Sequence, residues 1–146
     1  MGSEQKRLQV ILWIAFLFGV VCYPTALALI VQQAPPTADA DLLARLQLPC
    51  IGTASAQTLG AYWFFLRAGG ASGRMTHDPR ALWSYSAAWA ISEAIGLHGL
   101  ILGLLRADAE ISTLFFTWAI ALLLILRPPA AREGVAEAVQ SNAPRT

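Results

Sequence analysis

Four apolar blocks separated by short polar segments dominate the 146-residue chain, and they restrict the folds open to it. The first block, Leu8–Val31, runs 24 residues without a charged side chain. As a helix it spans about 36 Å, more than the roughly 30 Å hydrocarbon core of a bilayer. Only 13% of the residues are charged and 56% are hydrophobic, whereas soluble domains carry about a quarter charged residues. The pattern predicts an all-α membrane protein in one domain, with four transmembrane helices in two hairpins.

The expected spans are about 8–31, 48–67, 81–105 and 110–127. Lys6 and Arg7 ahead of the first block are reminiscent of a signal peptide. The apolar run exceeds the usual 7–15-residue signal core, so a retained span is expected. Pro24 is expected to kink this helix or end its regular part. Pro35-Pro36 then break the chain. Asp39 and Asp41 precede Leu42, Leu43, Leu46 and Leu48, a spacing that predicts a short amphipathic helix at the interface.

The second block, Leu48–Arg67, takes Pro49 as a first-turn residue. Thr53, Ser55, Gln57 and Thr58 make it the most polar span. Gly52, Ala56 and Gly60 recur every four residues, a small-residue seam that permits close helix approach. Tyr62 and Trp63 are placed to mark an interface. Asp78-Pro79 is a strong helix start for the third block. Arg106, Asp108 and Glu110 form a polar turn before the fourth. Pro128-Pro129 stop that block, and residues 128–146 read as a polar cytoplasmic tail.

Orientation follows from Lys and Arg. With the N-terminus inside, the inner segments hold Lys6, Arg7, Arg67, Arg74, Arg80, Arg127, Arg132 and Arg145. The outer segments hold only Arg45 and Arg106. Both termini are therefore expected in the cytoplasm, with the chain multi-pass in the plasma (inner) membrane. A net charge of +1 gives no reason to expect a nucleic-acid partner. Cys22 and Cys50 have neither CxxC nor metal-ligand spacing, and Cys22, in an apolar helix, reads as a small core residue. No metal and no cofactor are expected. A haem is disfavoured because His77 lies in a connecting segment, apart from His98.

Glu93 is the exception in this apolar chain. It lies 12 residues after Ala81, about 18 Å into the third block and so near the bilayer midplane. An ionised carboxylate there costs at least about 2.5–3.5 kcal/mol. A low dielectric favours the uncharged form, so Glu93 is expected to be a neutral, protonatable group. No other charged residue lies at its depth, and Gln57 is the expected hydrogen-bond partner, with Ser55 and Thr58 next. At 100° per residue, Ala88, Ser92, Gly96, Gly99 and Gly103 share one narrow stripe, a packing seam with Glu93 at its edge. His98 lies about 140° round the helix from Glu93, so the two are not expected to pair. His98 is a secondary candidate.

The stretch "DPRALWSYSAAWAISEAIGLHGLILGLL" resembles the carboxylate-bearing helix of the proteolipid c subunit of rotary ATP synthases, over about residues 78–105. In that family a cytoplasmic loop with Arg and Pro leads into a helix whose middle reads E-A-x-x-x-Y-G-L. Here "EAIGLHGL" matches, with His98 at the Tyr position. The resemblance implies that Glu93 is the ion-carrying carboxyl. It favours protons over sodium, because Ala94 and Ile95 supply no hydroxyl. It also implies that the second block is the partner helix, presenting Gln57.

Three functions are open at this point. The first is a small integral membrane subunit of an oligomeric complex, with Glu93 and Gln57 as a proton site. The second is a non-catalytic structural or assembly subunit in which Glu93 is a neutral hydrogen-bonded residue. The third is a small transporter or channel. No nucleophile–base pair or metal cluster points to an enzyme. The expected partners are the bilayer and other membrane subunits, of the same or different kind.

Overall fold

Four helices carry residues 3–31, 40–69, 79–105 and 109–129, the part of the chain that the computed structural model describes. They are α1 (Ser3–Val31), α2 (Ala40–Arg67), α3 (Pro79–Leu104) and α4 (Ala109–Ile125). No strand occurs among the described residues. The expectations for Pro35-Pro36, Asp39, Arg74, His77, Asp78, Arg106, Asp108 and the tail beyond residue 129 fall outside the described residues.

α3 is the central helix and packs against the other three, while α1 also meets α4. Successive helices run in opposite directions. Phe65 near the end of α2 meets Tyr85 near the start of α3, with ring centroids 5.9 Å apart. Gly99 near the end of α3 lies against Ser112 at the start of α4. Gly103 faces Leu27, which places the ends of α1 and α3 together. Thus the start of α1, the end of α2, the start of α3 and the end of α4 share one end of the bundle.

One boundary differs from expectation. α1 ends at Val31 as expected, and Pro24 lies inside it without ending the helix. α2 is one helix of 28 residues, with Pro49 in its interior, not an interfacial helix followed by a separate span. "ADLLARLQ" contains good helix formers and no glycine. The helix therefore forms before Pro49 and runs through it. Pro49 lacks the N–H that would bond four residues back. The turn after α2 is closed by Gly69, whose φ of 81° is left-handed. Its N–H bonds to Leu66 O at 3.0 Å, while Ala68 N–H bonds to Phe64 O. Glycine takes that conformation without a Cβ penalty.

The core lies where α3 meets α4. Tyr85, Ala88, Trp89, Ile95 and Leu102 of α3 are buried with Phe115, Ala119, Leu122 and Leu123 of α4. α2 adds Ala54, Ala61, Phe65 and Ala68, one helical face. α1 adds Val20. Two indoles close the last turn of α4, where helical carbonyls have no partner of their own. Trp13 Nε1 donates to Leu123 O and Trp89 Nε1 to Leu126 O, both at 2.9 Å.

Large apolar side chains also point outward. Ile11, Phe18 and Leu29 on α1, Leu48 and Leu59 on α2, Ile101 on α3 and Ile125 on α4 are all exposed. A helix that is apolar on every face suits a membrane or the inside of a larger protein. α1 and α3 are each long and apolar enough to cross a membrane. α4 is as apolar but has only 17 residues, about 26 Å. α2 is interrupted by its hydroxyl and amide side chains.

Candidate functional site at the contact of α1 and α3

Glu93 faces α1. The Tyr23 hydroxyl donates to Glu93 Oε1 at 2.7 Å, a short bond between residues 70 positions apart. The pair sits in two reciprocal notches. A Cβ at Gly19, one turn before Tyr23, would lie 2.9 Å from Glu93 Oε1. A Cβ at Gly96, one turn after Glu93, would lie 3.3 Å from the Tyr23 ring and from Val20. Glycine on α1 thus admits the carboxyl, and glycine on α3 admits the phenol. Phe116 of α4 supports the Tyr23 ring, 6.5 Å away between centroids.

Gln57, the expected partner, does not reach Glu93. Its Oε1 is buried without a hydrogen bond. The reason is rotational: Glu93 lies on the α1 side of α3, and Thr53 of α2 instead approaches His98. Nor does the hydroxyl series of α2 approach the acid. Ser55 bonds Ile51 O at 2.8 Å, and Thr58 bonds Ala54 O at 2.9 Å. Each satisfies its own helix backbone.

His98 forms a separate node between α3 and α2. Its Nδ1 lies 2.7 Å from Ala94 O, and a carbonyl only accepts, so Nδ1 carries the proton. Nε2 lies 3.1 Å from Thr53 Oγ1. That hydroxyl is also 2.9 Å from Pro49 O and 3.0 Å from Cys50 O. It can donate to a neutral imidazole, or accept from an imidazolium while donating to its own helix. The ring stacks on Phe115 at 6.0 Å.

The glycines of the α3 small-residue stripe lie at its contacts with α1 and α4. Ser92 is buried and bonds Ala88 O at 2.8 Å. Gly99 takes the α4 backbone, where a Cβ would be 2.8 Å from Ser112 O. A Cβ at Gly103 would overlap Leu27. The similar series on α2 meets nothing: a Cβ at Gly52 or Gly60 has no atom within 4 Å, and Ala56 is exposed. Cys22 and Cys50 are free and half-buried. Among the described residues no three His, Cys, Asp or Glu side chains group as a metal site. A cavity of about 540 Å³ opens between α1 and α4 beside Leu27, Ala28, Phe116 and Thr117, but neither Glu93 nor Tyr23 lines it.

These features define an all-helical protein in which the two helices of membrane-spanning length are joined by a carboxyl–phenol bond. Comparison with protein-family models, curated proteins and solved structures finds no match to the chain.

Proposed function

We propose that the chain is a small, non-enzymatic, multi-pass subunit of an oligomeric complex in the plasma (inner) membrane, with both termini cytoplasmic and Glu93 as its mid-membrane proton site. The Tyr23–Glu93 bond carries this reading. A phenol donates to a carboxyl oxygen whether the acid is neutral or ionised. The proton can therefore leave and return without dismantling the α1–α3 contact. Glu93 is only half-buried. The mode is c-subunit-like with one change: α1 of the same chain holds the acid, and α2 flanks the opposite side of α3. The open Gly52, Ala56 and Gly60 face of α2 is then free for a neighbouring subunit.

The reciprocal glycine notches favour a second reading, in which the bond only fixes the register of α1 on α3. Glu93→Gln separates the two, because the Gln carbonyl still accepts from Tyr23 but exchanges no proton. On the proton reading, a hydrophobic carbodiimide labels wild-type Glu93 and not the Gln variant. The variant assembles normally while proton-dependent activity of its complex is lost. Full activity in an assembled Glu93→Gln complex would leave only the structural reading.

A further inference from the structure

The end of the bundle formed by α2 and α3 is layered. On α2, Trp63 lies one turn inward of Arg67, whose guanidinium carbon is 5.2 Å from the Trp63 ring centroid. On α3, Trp83 lies one turn inward of Arg80. Phe64 joins the two tryptophans, with centroids 4.9 Å from Trp63 and 6.0 Å from Trp83, both edge-on. Trp63 is 52% and Trp83 68% exposed, although each is a large aromatic. A soluble protein would bury such a cluster. Lys6, Arg7 and Arg127 lie at the same end, against one described acid, Glu4. Among the described residues, the opposite end has Arg45 against Asp41 and Glu110.

We infer that the Trp63–Phe64–Trp83 cluster with Arg67 and Arg80 is a binding surface for the headgroups of anionic phospholipids. Indole rings settle at the boundary between hydrocarbon and headgroups. A cation one turn further out then stands at phosphate level. Each Lys or Arg near an anionic surface strengthens binding by about fivefold, from roughly 1 kcal/mol per cation. Two cations on neighbouring helices, Arg67 over the Trp63 ring and Arg80 one turn outward of Trp83, give this end a charge preference that the opposite end lacks among the described residues. The surface also orients the chain, with this end toward the more anionic leaflet. The inference rests on the membrane reading above.

The test uses the full-length protein reconstituted into phosphatidylcholine vesicles with and without phosphatidylglycerol. Quenching of tryptophan by brominated acyl chains reports insertion. Energy transfer from tryptophan to headgroup-labelled phosphatidylglycerol or phosphatidylcholine reports which lipid lies near the protein, and its change in Arg67→Gln assigns the preference to the cluster. The expected result is quenching in both vesicle types, and a preference for phosphatidylglycerol of more than about tenfold that weakens in high salt. Arg67→Gln is expected to reduce the preference about fivefold, and Arg45→Gln, at the other end, to leave it unchanged. Quenching without any headgroup preference would overturn the lipid site alone. Equal loss in Arg67→Gln and Arg45→Gln would also overturn it, since the effect would be net charge. Absence of quenching would overturn the membrane reading and the lipid site together.

Discussion

Trp89→Ala is expected to destabilise the protein by about 3–5 kcal/mol, the range for truncating a large buried aromatic. Trp89 has no exposed surface and sits where α3 meets the end of α4. Its ring stacks on Tyr85 at 5.7 Å and meets Phe16 of α1 at 6.4 Å. Removing it leaves a void on three sides and deprives Leu126 O of its 2.9 Å donor. In a bilayer the transfer part of this cost is small, because lipid is as apolar as the core, so the lower end of the range is expected there. Lost dispersion contacts and an unpaired carbonyl remain in either medium. Unfolding by titration with a denaturing detergent in mixed micelles measures the loss. Trp89→Phe keeps most of the ring and gives up chiefly the hydrogen bond, so about 1 kcal/mol is expected. Wild-type stability in Trp89→Ala would place the core elsewhere.

Gly99→Leu is expected to prevent α3 from packing on α4. A Cβ at this position would lie 2.8 Å from Ser112 O and 3.0 Å from Phe115 Cβ. The first is backbone and cannot rotate away, so the helices must separate. Overpacking a core by a methylene or two costs about 1–3 kcal/mol; an isobutyl group against a main-chain carbonyl exceeds that range. The expected outcome is loss of the monodisperse folded species in size-exclusion chromatography. Gly52→Leu is the control, because a Cβ there meets nothing within 4 Å. It is expected to leave the fold intact. Equal behaviour of the two variants would contradict the assignment of the α3–α4 contact.

Those two glycines also show what a sequence conveys. Gly52-Ala56-Gly60 and Ser92-Gly96-Gly99-Gly103 look alike as small-residue seams. Only the α3 seam packs within the described chain, because α3 is central and α2 borders α3 alone among the main contacts. Spacing identifies a face that permits close approach; which helix arrives depends on tertiary arrangement. The helices themselves were legible from apolar length and from Pro79 at the start of α3. Pro49 was misleading because a proline in the first turn and one within a helix look the same locally.

The acid was legible and its partner was not. Glu93 stood out by its charge, whereas Tyr23 lies in a block without charged residues, and nothing in its own chemistry singles it out. Two signals pointed to it. Gly19 and Tyr23 are four apart, so a notch and a donor share one face of α1. Tyr23 lies 16 residues beyond Arg7, and Glu93 lies 13 beyond Arg80, which places them at similar depth from the basic end. Gln57 attracted attention because it was polar and in the preceding block, but α3 turns the acid away from α2.

Infrared spectroscopy of the reconstituted protein tests the proton site most directly. A neutral Glu93 gives a carboxylic-acid carbonyl band, identified by its absence in Glu93→Gln. This band is expected in the wild type. The account predicts a shift to higher frequency in Tyr23→Phe, because the donor on Oε1 is gone. A band that Tyr23→Phe leaves in place, or a wild type with no such band at any pH, would contradict a protonatable carboxyl held by Tyr23.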